Sequence, residues 1–247
     1  MFEVVLVEEF WNQIKESLHF ILCSGAIVAI LALLSHLAEH FLLSKRHISK
    51  ARRLSIIAVC ASIATVLHIF DFPLLFLAPE FYKLDFSELP VMLCGFYLGP
   101  SAAVACEAVK ILLKLLVKGT STAFVGDFAN FAVGCSLVLP AVTVYHTKRS
   151  RASALCGLVL GTAVLTVFGS IFNAVYLLPK FSQLFGLPLD AIIAMGGKIN
   201  GSIHSLQSFV LLAVAPLNLI KGIMISVLTL LLYKKVARPL FGNEKTP

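Results

Sequence analysis

The sequence predicts an all-α integral membrane protein with seven membrane-embedded helices. Hydrophobic residues make up 59% of its 247 residues and charged residues only 13%, whereas an average soluble domain carries about 25% charged residues. The apolar stretches are about 20 residues long, as helical spans require, rather than the segments of about 10 residues that build a barrel. Basic residues cluster between these stretches, so the net charge of +7 indicates membrane topology rather than nucleic-acid binding.

The hydropathy pattern predicts the position of each helix in chain order. We expect helices at about 18–43, 54–70, 89–98, 101–118, 123–146, 152–178 and 204–233. The first ends before the basic residues that start at Lys45, and the second ends at Asp71-Phe-Pro73. Residues 89–118 would form a helix of about 45 Å at about 1.5 Å per residue, too long for one straight span, and Gly99-Pro100 provides the break. Polar segments at about 71–88 and 179–203 are expected to be loops.

Three basic clusters define the orientation, because helices that cross the membrane in this order place all three on one side. The clusters are Lys45, Arg46, Lys50, Arg52 and Arg53; Lys148, Arg149 and Arg151; and Lys234, Lys235 and Arg238. By the positive-inside rule that side is the cytoplasm. We therefore expect a multi-pass cell-membrane protein with its N-terminus outside and its C-terminus in the cytoplasm. The expected domains are 1–53 (an extra helix and basic linker), 54–238 (a six-helix membrane domain) and 239–247 (a cytoplasmic tail).

The N-terminal segment is acidic, and the first apolar segment is long enough to cross the membrane. We therefore expect no cleaved signal peptide. The six cysteines all lie in apolar segments without a CxxC pair, and we interpret them as small buried hydrophobic residues.

Lys221 is the most informative ionisable residue, because it lies inside the last apolar span. It precedes the cytoplasmic end at Tyr233 by about 18 Å at about 1.5 Å per residue, farther than a lysine side chain can reach. Asn218 lies on the same helix face, and Pro216 removes a backbone donor nearby. Such a lysine either pairs with a buried carboxylate or contacts a ligand, and its place inside the membrane favours the second interpretation.

Two further helices carry polar pairs in the outer half of the membrane. Asn173 and Tyr176 lie three residues apart near the end of one helix, and interhelical hydrogen bonding is their structural alternative. Asp127 and Asn130 lie about one turn apart near the start of another. These sets predict a pocket that opens outward, with candidate residues Asn218, Lys221, Asn173, Tyr176, Asp127 and Asn130.

Charged residues on two neighbouring helices also have a purely structural interpretation. Asp127 can pair with Lys114 or Lys110 of the preceding helix, and Glu107 can pair with Lys110 at i,i+3. We favour this docking role for these four charges.

The segment before the third predicted helix has the composition of a helix cap. Ser87 or Asp85 can satisfy the first backbone donors of the helix that starts at about 89. Phe81, Tyr82 and Leu84 are candidates to cover the mouth of the pocket.

Small residues at four-residue spacing on the 54–70 span would let another helix pack closely. The pairs are Ala58 with Ser62, Cys60 with Ala64, and Ala61 with Thr65. Such spacing is common by chance in an alanine-rich span and identifies no partner by itself.

One motif indicates a different class of protein. His36-Leu-Ala-Glu-His40 matches the HxxEH pattern of zinc proteases, so a membrane zinc hydrolase that uses His36, Glu39 and His40 is an alternative. The motif lies at the end of its helix, next to a basic segment, and no third zinc ligand is evident. These polar residues are better explained as the end of a membrane span at the cytoplasmic interface. The sequence contains no GxxxxGK[ST] phosphate loop, so ATP would have to be used by partners.

Four sequence segments in order carry a family resemblance. They are Lys83-Leu-Asp-Phe-Ser-Glu-Leu-Pro90 followed by Gly95-Phe-Tyr-Leu-Gly-Pro100, Gly126-Asp-Phe-Ala-Asn-Phe-Ala-Val-Gly134, and Pro216-Leu-Asn-Leu-Ile-Lys-Gly222. Over about 54–238 the chain resembles the S components of energy-coupling factor (ECF) vitamin transporters, and among them the riboflavin-specific branch. The resemblance implies a six-helix membrane protein, here with one extra N-terminal transmembrane helix. It also implies a vitamin in an outward pocket closed by loops, and partners comprising an ECF transmembrane subunit and two cytoplasmic ATPases.

The resemblance also implies roles for single residues. Asn218 and Lys221 match positions that hydrogen-bond the flavin, and Asn173 matches a third. The first helix of the family docks through an alanine-x-x-x-alanine face, which here begins Ala58-x-x-x-Ser62; the expected docking residues are Ala58, Ala61, Ser62 and Thr65. Such a protein is not an enzyme and uses no cofactor or metal, since riboflavin is its transported ligand.

Two departures from the family pattern leave the ligand open. The extra helix at about 18–43 lies outside the pattern, and the 179–203 segment is long, so the chemistry of the lid can differ. FMN, another vitamin or a modified base are therefore alternative ligands.

Overall fold

The computed structural model describes residues 22–41 and 48–241, so the linker residues Lys45 and Arg46 and the end of the predicted tail lie outside the described residues. The helices are α1 (Leu22–Phe41), α2 (Lys50–Ile69), α3 (Glu88–Leu98), α4 (Pro100–Lys118), α5 (Val125–Lys148), α6 (Arg151–Phe172), α7 (Leu178–Phe185), α8 (Leu189–Ile199), α9 (Leu206–Phe209) and α10 (Ala215–Phe241). π-helical segments at Asn173–Leu177 and Val210–Val214 join α6 to α7 and α9 to α10. The helical architecture is as predicted.

Several of these helices have the length and composition of membrane spans. Within the described residues, the spans are Leu22–Phe41, Lys50–Ile69, Val125–Lys148, Arg151–Phe185 and Leu206–Tyr233. α3 is too short to cross by itself, and α4 carries Glu107, Lys110, Lys114 and Lys118. These two helices therefore depend on burial inside the bundle.

α3 forms the centre of the bundle, because every one of its residues is buried. It packs against α2, α4, α5 and α10. The predicted break after it is confirmed at Gly99, whose φ of 116° and ψ of 176° fall in a region that only glycine adopts readily. Pro100 then starts α4 at a position where its missing N–H costs nothing.

α5 and α6 pack closely because α6 presents glycines to its neighbour. A Cβ at Gly157 would lie only 2.5 Å from the Ala141 carbonyl oxygen, and one at Gly161 would meet the Leu137 carbonyl oxygen. This small-residue contact is the kind that drives helix association in membranes.

The extra helix α1 lies on α4 and α5. Leu31 packs against a cluster that contains Val104, Ile111, Phe131 and Cys135. Most of the remaining α1 surface is exposed and apolar, as expected of a helix at the edge of a bundle that faces lipid.

The segments predicted as loops contain further secondary structure. The α2–α3 loop (residues 70–87) includes a short antiparallel pair in which Phe72 lies opposite Leu84. The prediction of a polar loop at 179–203 is wrong, since α7 and α8 occupy most of it. Both helices bury one face, through Phe181 in α7 and Ile192 in α8. With 8 and 11 residues they are too short to be recognised as membrane spans.

Candidate functional site

A cavity of about 430 Å³ opens at one end of the bundle, a volume typical of small-molecule sites. It lies where α2, α4 and α6 end and where α5 and α10 begin, and the α2–α3 loop and α7 complete its wall. The lining residues at these helix ends include His68, Lys118, Gly126 and Asn173.

The basic clusters of the described chain lie toward the opposite end. Arg53 is in the first turn of α2, and Arg149 lies between α5 and α6. Because the cavity lies at the other ends of these same helices, the cavity and the basic clusters are separated by the length of the bundle.

Asn218 is the strongest candidate for a ligand contact. Only 6% of the residue is exposed, and its Nδ2 atom has no hydrogen-bond partner within the described part of the chain. Gly169 packs against the amide so closely that a Cβ there would lie 2.7 Å from Nδ2. An unpaired buried amide costs about 1–3 kcal/mol, and a ligand acceptor in the cavity would remove that cost.

Lys221 is positioned both to pair with buried carboxylates and to contact a ligand, the two roles that its position in the sequence left open. Its Nζ lies 2.9 Å from Glu88 Oε1 and 3.2 Å from Asp85 Oδ2, so it is paired with buried carboxylates. It also lines the cavity. Since an ammonium group has three N–H donors, two carboxylates leave one donor for a ligand.

Asp85 is a site residue that reasoning from the sequence missed. Its Oδ2 lies 3.3 Å from His68 Nδ1 as well as near Lys221, and both Asp85 and His68 line the cavity. Its Oδ1 accepts the backbone N–H of Ser87 at 2.8 Å. The one available signal was the need of Lys221 for a buried counter-charge.

The sequence predicted a cap by Ser87 or Asp85, and of these two side chains Asp85 accepts a backbone N–H, that of Ser87. Ser87 does precede the first residue of α3, but its side chain makes no capping hydrogen bond. Its Oγ instead accepts a hydrogen bond from Lys110 Nζ at 3.0 Å and so gives this buried ammonium a further acceptor.

Asn173 lies in the cavity wall and is held by two hydrogen bonds. Its Oδ1 accepts from the Tyr82 hydroxyl at 2.7 Å, and its Nδ2 donates to the Gly169 carbonyl at 2.7 Å. Burial raises the pKa of Tyr82 above its usual range, so the phenol remains a donor. Tyr176 lies outside the cavity lining, and its ring packs on Phe172 with centroids 5.2 Å apart.

Asp127 and Asn130 both line the cavity. The predicted ion pair between Asp127 and Lys114 is confirmed, while the second carboxylate oxygen of Asp127 has no hydrogen-bond partner within the described residues. Asn130 donates to the Gly126 carbonyl at 3.1 Å. The site therefore offers both donors and acceptors.

The apolar wall comes from segments that were expected to be a lid or a loop. Phe81 and Tyr82 line the cavity as anticipated, whereas Leu84 lies in the core below it. Phe181 of α7 contacts Phe81 edge to face, with centroids 6.2 Å apart. Phe181 and Phe185 were missed because the 179–203 segment was interpreted as a loop.

The small residues of α2 divide between two faces. Ala58 and Ser62 are exposed, whereas Ala61 and Thr65 are buried. The Thr65 hydroxyl donates to the Ala61 carbonyl at 2.8 Å and lies 3.2 Å from the Lys110 carbonyl. Thus Ala61 and Thr65 pack against α4, and only Ala58 and Ser62 present a surface to a partner.

The HxxEH motif has a structural role. The Glu39 carboxylate accepts hydrogen bonds from the Arg53 guanidinium at 2.9 and 3.1 Å and also contacts Ser101. Among the described residues there is no group of three potential metal ligands. Glu39 therefore connects α1 to α2 through Arg53 and to α4 through Ser101.

Comparisons with known proteins identify relatives of this architecture. The family model for "ECF transporter, substrate-specific component" matches residues 52–233. A protein of Staphylococcus aureus (strain TCH60) named riboflavin transporter RibU is 37% identical over 193 residues, which cover 78% of this chain and 94% of the relative. Riboflavin transporter FmnP of Bacillus subtilis (strain 168) is 32% identical over 188 residues, covering 76% of this chain and 93% of the relative.

A solved structure described as the S component of a bacterial ECF transporter is similar to this fold. It superposes with a TM-score of 0.60 at 37% sequence identity, and the match covers 78% of this chain and 99% of the solved one.

Proposed function

Because the chain belongs to the family of ECF transporter substrate-specific components, we propose that it binds riboflavin in the described cavity and delivers it for uptake into the cell. It is a binding subunit of a transporter and not an enzyme. The riboflavin transporters at 37% and 32% identity support this ligand.

The juxtaposition of Asn218 and Lys221 in the cavity carries the proposal. Asn218 presents a buried amide nitrogen that has no hydrogen-bond partner among the described residues, and Lys221 presents an ammonium whose remaining donor can reach a ligand. The isoalloxazine ring system has two carbonyl oxygens and an imide N–H along one edge, which an amide and an ammonium can recognise. Phe81 and Phe181 supply an aromatic wall for the rings.

Asn173, Asp127 and Asn130 complete the proposed polar lining. The Asp127 oxygen that has no hydrogen-bond partner in the described ranges can accept a hydrogen bond from a ribityl hydroxyl. Asn173 and Asn130 already bond within the protein, and we assign them to orienting the site around the ligand. For Tyr176 we propose only an indirect role, because it packs on a cluster that contains the cavity-lining residues Leu177 and Phe181.

We further propose that import requires an ECF transmembrane subunit and two cytoplasmic ATPases. Without a phosphate loop in its sequence, the chain depends on these partners for ATP. The exposed face of α2 that carries Ala58 and Ser62 is the proposed docking surface, because small side chains let a partner helix approach closely.

Purification and ligand titration test the proposal. The purified protein is expected to carry a yellow flavin, and titration of the ligand-free protein should quench riboflavin fluorescence at a single site. Asn218→Ala and Lys221→Met each remove a proposed hydrogen bond, so the Kd should rise about 10- to 100-fold. The matched variants Asn200→Ala and Lys198→Met change exposed residues outside the cavity and should bind like wild type.

The same titration includes the second candidate, FMN. Lys83 and Lys118 lie 3.3 and 3.5 Å from the one carboxylate of Asp71, and all three line the cavity. Two ammonium groups beside one carboxylate leave a net positive charge, which suits the phosphate group of FMN. Competition that favours FMN over riboflavin would reassign the ligand, and tight binding of an unrelated vitamin with no flavin affinity would overturn the proposal.

A further inference from the structure

We propose that Glu88 is a positioning residue that holds the ammonium of Lys221 toward the cavity, and that Lys110 in turn anchors Glu88. The inference rests on the proposed function, because it concerns how a proposed ligand contact is held in place. Glu88 itself is absent from the cavity lining, so it would act on the ligand only through Lys221.

The contacts form one chain of ion pairs that leads from the cavity into the core. Lys221 Nζ lies 2.9 Å from Glu88 Oε1, and the same oxygen lies 3.5 Å from Lys110 Nζ. Lys110 also pairs with Glu107 on its own helix and donates to Ser87 Oγ at 3.0 Å. The chain thus connects α10 to α3 and α3 to α4.

The inner members of this chain are shielded from both ligand and water. Lys110 and Glu107 are 0% exposed and Glu88 is 1% exposed, and none of them lines the cavity. The Glu107 carboxylate lies against Gly134 of α5, where a side chain would overlap it, because a Cβ at this position would lie closer to Oε1 than van der Waals contact allows. Burying several charges is costly, and a well-packed apolar core would usually be as stable. This arrangement is explained if it fixes a geometry that an apolar core cannot fix.

That geometry is the direction of the Lys221 ammonium. A lysine side chain has four rotatable bonds and its charge is a point without a preferred plane. Asp85 contacts it from the side of the cavity and is shared with His68, whereas Glu88 contacts it from the core. With both carboxylates present, the third donor is directed into the cavity. With Asp85 alone, the ammonium is free to rotate about one partner.

A double-mutant cycle on riboflavin binding tests this role. We expect Glu88→Gln to raise the Kd at least tenfold in the wild-type background. In the Lys221→Met background the same substitution should change the Kd less than twofold, because there is no ammonium left to position. Equal losses in both backgrounds would assign Glu88 a general structural role and overturn the inference, as would unchanged affinity of Glu88→Gln.

Two additional variants keep the test decisive. Glu88→Asp retains the charge but withdraws it by one methylene, so it should fold and give an intermediate loss of affinity; wild-type affinity would contradict the proposal. Glu39→Gln makes the matched substitution in an ion pair at the other end of the bundle and should leave the Kd unchanged. Failure of the proposed function is distinguishable, because then the wild-type protein binds no riboflavin and Lys221→Met changes nothing.

Discussion

At the scale of single residues, Lys221 is paired with carboxylates and still available to a ligand. Its depth in the last span was sufficient to predict a site, since an unpaired charge there is costly. Its partner Asp85 lies 136 residues earlier in the chain, and no spacing rule connects the two. His68 was missed as well, because its place in an alanine-rich span indicated only a helix. Polar residues in the outer halves of several spans could be predicted to meet, as Asp127 and Asn173 do with Lys221. A loop residue such as Asp85 could not, because no apolar span fixes its position.

Tyr82 provides a second test at this scale. Its hydroxyl donates a hydrogen bond of 2.7 Å to Asn173 in the cavity wall and so ties the α2–α3 loop to the π-helical segment after α6. Tyr82→Phe removes one neutral hydrogen bond, worth about 1 kcal/mol, and we expect riboflavin to dissociate about fivefold faster. Stopped-flow recovery of flavin fluorescence measures this rate.

Tyr145→Phe is the control for that measurement. Tyr145 shares a hydrogen bond of 3.1 Å with Tyr233, far along the chain from the cavity residues of α5, and its loss should leave the dissociation rate unchanged. If both variants release riboflavin equally fast, the loop is not tethered through Tyr82.

At the scale of elements, the break between α3 and α4 depends on one residue. Gly99 adopts a φ of 116° and a ψ of 176°, a conformation that costs other residues about 1–3 kcal/mol. Gly99→Ala should therefore lower the free energy of unfolding by about 2 kcal/mol and reduce the Tm in detergent.

Gly25→Ala is the matched substitution for this prediction. A Cβ at Gly25 meets nothing within 4 Å, and alanine is the better helix former, so the Tm should not fall. If Gly99→Ala has the same Tm as wild type, a residue other than glycine can occupy the break without loss of stability, which would contradict the prediction.

The elements also show where prediction from sequence succeeds in a membrane protein. Long spans such as Val125–Lys148 and Lys50–Ile69 were predicted well, because lipid demands a continuous apolar stretch of fixed length. α7 and α8 were missed, because a helix of 8 or 11 residues that buries one face has no such length requirement. The candidate site was affected in the same way: its polar half could be predicted, and the aromatic half on α7 could not.

At the scale of the whole molecule, the cavity and the basic clusters occupy opposite ends of the bundle. We proposed from the basic clusters that the N-terminus is outside and the C-terminus cytoplasmic, which would make the cavity face the medium. Such a bundle could capture a vitamin before any partner acts.

Labelling of single added cysteines in intact cells tests this orientation. Glu80→Cys lies on the exposed α2–α3 loop and Lys148→Cys lies exposed at the end of α5. A membrane-impermeant maleimide should label Glu80→Cys in intact cells and Lys148→Cys only after permeabilisation. The unsubstituted chain reports the background from native cysteines, and the reverse pattern would invert the topology.

The π-helical segment at Asn173–Leu177 affects how the cavity wall formed by α7 responds to the deletion of a residue. A π turn holds one more residue than an α turn, so it accommodates an extra residue without changing the phase between α6 and α7. Deleting one residue there should restore a regular α turn and leave Leu177 and Phe181, which line the cavity, on the same side of the helix. Deleting one residue from the regular turns of α6 should instead rotate everything beyond it by about 100° and turn both side chains away from the cavity. The same loss of one residue is thus tolerated in the π turn and damaging one turn earlier.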